Sequence, residues 1–189
     1  LNTAFLHHGA FLYIPDGAFV ADPIHVLYLF NTHERERAFH PRMLVVTGKN
    51  SNLTVIEHYA GLGNNTYLSN AVTEVALGAG SNMEHYRIQQ HSSQAFHVGT
   101  TQVTLHRDST YTSVVSDMGG GLTRNNLNVL TADEGASCTL NGVYILDRSQ
   151  HVDNQVIIDH ASPHTNSHEL YKGILDDESR SVFHGSIIV

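Results

Sequence analysis

Fifteen histidines in 189 residues make metal binding the first chemistry to weigh. The sharpest group is His160, His164 and His168, spaced by four. On a helix that spacing lines three imidazoles along one face, as metal sites often do. The intervening Ser162-Pro163 and Thr165-Asn166-Ser167 favour a turn instead, which removes the shared face. If a strand starts at Ser167, His168 and Leu170 point one way and Glu169 the other. The group then reads as turn and surface histidines bonded to backbone carbonyls, and no metal ligand is assigned. No His-x-His pair occurs, so the metal signature of a cupin is missing.

The one thiol, Cys138, supports neither covalent catalysis nor a cluster by itself. A nucleophilic cysteine needs a base brought near it, and an iron–sulfur cluster usually takes four thiolates. Its default is a small buried hydrophobe on a strand. Gly119-Gly120-Gly121 is followed by no Lys-Ser or Lys-Thr, so it reads as a turn or a close backbone approach rather than a phosphate loop. No catalytic or cofactor-binding residue is assigned.

The elements that carry these residues are β-strands. The chain has no Trp, its lysines are Lys49 and Lys172, and Ser, Thr, Asn and Gly recur throughout. Those residues favour strands and turns over helix interiors. A net charge of −8 with scattered arginines excludes a dedicated nucleic-acid binder. One cysteine allows no internal disulfide and fits a reducing compartment. The longest apolar runs, 26–30 and 43–46, are too short to span a bilayer, so no membrane partner is expected. Residues 1–189 are read as one domain, able to bury about 70% of its extended surface. Because it opens on Leu1, the chain is expected to be a fragment.

β-prone segments recur at 52–57, 72–77, 102–105, 126–130, 155–158 and 181–184, with starts roughly 20 to 30 residues apart. The middle ones lead through polar turns at 78–81, 107–110, 133–136 and 161–164 into second strands at 83–88, 111–115, 138–143 and 167–174. Such strands suit a sandwich or a parallel β-helix. The strand–turn–strand period and the scarcity of tight hairpin signals favour the helix, a solenoid of short strands. Asn141-Gly142 falls inside a strand, where the glycine is read as a bend. Segment 31–41, rich in charge and histidine, is read as a solvated excursion between two strands with room for one helical turn. No hexapeptide rhythm supports a left-handed acyltransferase helix. A β-helical carbohydrate-active enzyme stays open as an alternative, as does a histidine-based metal binder, although no carboxylate pair is evident.

A set of motifs goes further than composition. Gly121-Leu122-Thr123-Arg124-Asn125-Asn126-Leu127, Gly135-Ala136 with Leu140-Asn141-Gly142-Val143-Tyr144, and Gln150-His151-Val152-Asp153-Asn154 follow one another. Asp159-His160, Glu169-Leu170-Tyr171-Lys172-Gly173-Ile174-Leu175 and Ser179-Arg180-Ser181-Val182-Phe183-His184-Gly185 complete them, and Leu1-Asn2-Thr3-Ala4-Phe5, Pro23-Ile24-His25 and Asn70-Ala71-Val72-Thr73-Glu74 fit upstream. Together these resemble the SufB/SufD family of the SUF iron–sulfur cluster assembly system. Leu-Tyr-Lys-Gly-Ile-Leu resembles SufD more than SufB, and His184 stands where Asn is expected. The resemblance implies an all-β, right-handed parallel β-helix that acts as a non-enzymatic scaffold with a SufB-type paralogue and the SufC-type ATPase, using sulfur from a desulfurase. It places the protein in the cytoplasm, or in the plastid stroma of a plant. It also implies that flanking N- and C-terminal helical regions are missing and that the fragment holds no cofactor. No functional residue of the family is carried over.

A β-helix leaves backbone unpaired at its ends, and such edges recruit strands. The run Phe183, Ser186, Ile187, Ile188 and Val189 is therefore the expected protein interface, for SufB or for a homodimer. The plainer reading is that it completes the last coil.

Overall fold

A computed structural model describes residues 1–6, 8–31 and 37–189. After a single 3-10 turn at Asn2–Phe5, the chain runs through β1 (Gly9–Ile14), β2 (Ile24–Asn31), β3 (Arg37–Phe39), β4 (Arg42–Thr47) and β5 (Asn52–Leu62). It continues through β6 (Tyr67–Leu77), β7 (Asn82–Gln90), β8 (Phe96–Leu105), β9 (Thr110–Asp117) and β10 (Leu122–Thr131). The last strands are β11 (Ser137–Leu146), β12 (His151–Asp159), β13 (Asn166–Leu175) and β14 (Arg180–Ile188). Among the described residues there is no α-helix. One sheet is ordered β1-β4-β6-β8-β10-β12-β14, with β3 also on β6, and the other β13-β11-β9-β7-β5-β2. From β4 onward successive strands alternate between the sheets, and the pairings are parallel. The fold is a parallel β-helix, as the repeat predicts.

Stacking explains the repeat. Asn52 sits under Asn82, then Thr110, Ser137 and Asn166, each step one coil. Alternate residues on every strand face the lumen, so a stripe of the same position recurs coil after coil. Met43, Val45, Leu53, Val55, Val75, Leu77, Met83, Val103, Leu105, Leu127, Val129, Leu140, Val156 and Ile158 fill it as one apolar core. A second cluster of Phe30, Tyr59, Tyr67, Ala71 and Ala95 lies toward the first coils.

The predicted turns 78–81, 107–110, 133–136 and 161–164 are all found. Each coil puts one residue of its turn in the left-handed region: Asn50, Gly80, Asp108, Gly135 and His164. The side chains of Asn50 and Asp108 lie over the next coil's glycine, so a Cβ at Gly80 or Gly135 would collide with them. Glycine is thus required twice over, by backbone angle and by stacking.

Two expectations are corrected. Gly142 does not bend its strand; it pairs in register with Tyr171, and a Cβ there would strike the Tyr171 ring. Gly173 seats the ring of Tyr144 in the same way. Within 31–41, residues 32–36 lie outside the described residues. Asn31 ends β2, and 37–39 form a strand on β6 rather than a solvated excursion, because Phe39 packs edge-on against Phe30 and Tyr67. The three glycines 119–121 behave as expected: Gly119 rests on the backbone of His91, and Gly120 has φ +80°.

Candidate functional site

The inward alternation that begins with Leu53 and Val55 continues to Glu57 and Tyr59. On β7 it passes from Met83 to His85, Arg87 and Gln89, and on β9 it ends at Asp117. The opposite sheet runs back from polar to apolar: Ser69 and Thr73 precede Val75, His97 and Thr101 precede Val103, and Asn125 precedes Leu127. One half of the lumen is therefore apolar and the other is lined by buried polar and charged groups.

Glu57, with no exposure, centres the first network. It accepts hydrogen bonds from the Tyr59 hydroxyl and from Thr73 Oγ1 at 2.6 Å, and His85 Nε2 lies 3.0 Å away. His85 Nδ1 is 2.9 Å from the Tyr111 hydroxyl. Burial pushes the Glu57 carboxyl up, but His85 and the Thr73 and Tyr59 bonds outweigh it and hold it below the usual range. Burial holds the Tyr59 and Tyr111 phenols protonated, well above their ordinary values.

A histidine pair forms the second network. His91 Nε2 is 3.1 Å from His97 Nδ1, and His91 Nδ1 is 2.9 Å from the Tyr67 hydroxyl. Burial lowers His91 to about 3. It lowers His97 as well, with His91 and Arg87 adding to the effect, so both rings are neutral. In the third network Asn125 Nδ2 donates to Asp117 Oδ2 at 2.9 Å and to Asn154 Oδ1 at 2.8 Å. Burial raises Asp117 against the opposing pull of Arg87, Asn125 and Asn154. These networks tie coil to coil and fix register. They hold no activated nucleophile, and among the described residues no group of three or more His, Cys, Asp or Glu side chains could hold a metal ion.

None of this lumen was singled out from the sequence. The signal was present: extending the inward stripe from Leu53 by twos reaches Glu57, and from Met83 it reaches His85 and Arg87.

The residues that were singled out are placed as follows. His160 is bonded at both nitrogens, to Thr165 Oγ1 at 2.6 Å and Ser167 Oγ at 3.0 Å. Its partners are hydroxyls rather than backbone carbonyls, because the turn folds Thr165 and Ser167 round the ring. His164 is exposed in the turn, and His168 points outward from β13. The three imidazoles do not converge. Cys138 lies in the apolar core, and burial, with Glu169 nearby, pushes its thiol up to about 12.

Among the described residues β13 and β14 are the last strands of their sheets and have no strand on their outer edges. Phe183 and Ile187 pair in register with the buried Asn154 and Ile158, so both face the lumen side. They are nonetheless 41% and 58% exposed, because among the described residues no coil covers them. Phe183 packs on Tyr171, with ring centroids 4.8 Å apart. Ile188 takes the outward face, paired with Asp159, and Val189 is fully exposed. Ser186 also lies outward, opposite Ile157. The five residues thus share one open coil end.

Fold and site define a β-solenoid whose lumen is apolar in one half and polar in the other. Over residues 29–189 the chain matches the family model for "SUF system FeS cluster assembly, SufBD core domain". The chain belongs to the SufBD core family of the SUF system of iron–sulfur cluster assembly. It is 30% identical over 197 residues to the iron–sulfur cluster assembly SufBD family protein slr0076 of Synechocystis, which covers all of this chain and 44% of that protein. It is 27% identical to the chloroplastic protein ABCI7 of Arabidopsis thaliana, over 94% of the chain and 39% of ABCI7. With the iron–sulfur cluster assembly protein SufD of Escherichia coli it shares 24% identity over 82% of the chain and 37% of SufD. The chain spans less than half the length of these relatives. Among the described residues no helix is long and apolar enough to cross a membrane.

Proposed function

We propose that this chain is the β-helical core of a SufD-type scaffold, which supports cluster assembly in complex with a SufB-type paralogue and a SufC-type ATPase. It carries out no catalysis of its own and holds no resident cofactor. The family match over residues 29–189 carries the assembly role. The open coil end supports the partner role, since Phe183, Ser186, Ile187, Ile188 and Val189 offer a strand edge flanked by apolar side chains. The occupant is the paralogue, a solenoid of the same family that can add a strand to that edge; a second copy, or further residues of a longer chain, are the other outcomes. The lone buried thiol suits a reducing compartment, the cytoplasm or the plastid stroma.

Complementation tests the role. The full-length protein, expressed in bacteria lacking their own SufD, is expected to restore the activity of an iron–sulfur enzyme. Normal expression without restoration would overturn the assignment.

A further inference from the structure

Arg87 is the anomaly of the lumen. It is only 5% exposed, yet among the described residues no carboxylate pairs with it. A guanidinium has five N–H donors. The hydrogen bond found for Arg87 runs from Nη1 to Thr101 Oγ1 at 3.2 Å, and its Nε has no partner. A buried cation left this way costs several kcal/mol in general, so such groups nearly always find a partner.

The partner has a place to sit. A small space of about 10 Å³ is lined by Arg87, His85, Thr101, Tyr111 and Ser113, with Val115 and Leu127 as its apolar walls. That is about the smallest volume that takes one water, and the polar wall supplies the two to four partners a buried water needs. The walls also decide the chemistry of the occupant. Arg87 offers donors only, whereas the hydroxyls of Thr101, Tyr111 and Ser113 can accept as well as donate. Further round the lumen, Gln89 Oε1 and Asn125 Oδ1 are buried acceptors without partners. A polyatomic anion is too large for a space of this size, and a cation would face Arg87. Only a neutral molecule that both donates and accepts suits the mixture.

We infer that one ordered water is bound between Arg87 and the hydroxyls of Tyr111, Ser113 and Thr101, as a built-in part of the β-helix that solvates the guanidinium from inside.

A crystal structure of the protein at about 1.8 Å or better tests this directly. Expected is one spherical peak within hydrogen-bond distance of Arg87 and at least one of those hydroxyls; a dry space, or density that refines only as an ion, overturns the inference.

Discussion

Acid should loosen this fold through His91, and the effect is large enough to measure. His91 is buried among Tyr67, His97, Phe30 and Tyr59, and among the described residues no carboxylate touches it. Its folded pKa falls from 6.5 to about 3 because burial penalises the charged ring. The folded chain therefore keeps His91 neutral through a range in which the unfolded chain protonates it. Stability is full above pH 6.5 and is lost as the pH falls from there toward 3. At about 1.36 kcal/mol per pH unit, His91 alone removes about 2.5 kcal/mol between pH 7 and pH 4.5. His97 acts in the same direction. His91→Gln keeps a hydrogen-bonding side chain against Tyr67 but cannot titrate. It should flatten the pH dependence by about one proton, whatever it does to stability at neutral pH. Urea unfolding of both proteins at about pH 7, 6, 5 and 4.5 reads the two slopes. Parallel slopes would refute the reasoning, because they would mean His91 titrates alike in both states.

Gly80→Ala puts a side chain at φ +69° and drives it into Asn50, so it should cost about 2 kcal/mol or more in urea unfolding; a loss below about 0.5 kcal/mol would show that the turn ladder relaxes freely. Cys138, buried with its thiol pushed up to about 12, should react with a thiol reagent only under denaturing conditions, and rapid native labelling would contradict its place in the core. Anaerobic reconstitution of the isolated chain with iron and sulfide should leave no stable chromophore; one that forms stoichiometrically and disappears in Cys138→Ser would overturn the proposal that it holds no cofactor.

How much of this was legible in the sequence follows the two halves of the lumen. Where inward residues are apolar and β-branched, the strands stand out, as at 52–57, 72–77, 102–105 and 126–130. Each of those segments stops short on its polar side. β5 runs on past Glu57 to Leu62, β6 begins at Tyr67, β8 at Phe96 and β10 at Leu122. Residues such as Ser69, His97, Thr123 and Asn125 look like loop until a neighbouring coil supplies their partners. The polar networks were missed for the same reason, since Glu57 and His85 meet across a coil rather than along the chain. Gly142 misled because its value lies in the Tyr171 ring it seats, one coil away. The coils before residue 52 carried no clear repeat, since β3 and β4 follow one another in the same sheet, both on β6.

A partner docked on the last coil, at β13 and β14, is the central claim to test. Tagged full-length protein, co-expressed with a SufB-type paralogue and a SufC-type ATPase and purified by affinity and size, is the direct measurement. Its comparison is Ile187→Pro, which removes a backbone donor from an edge strand that tolerates the change in folding. A stable complex with wild type, and its loss in Ile187→Pro while the melting temperature moves little, is the predicted result. No complex with wild type, or an equal yield with the variant, would contradict it.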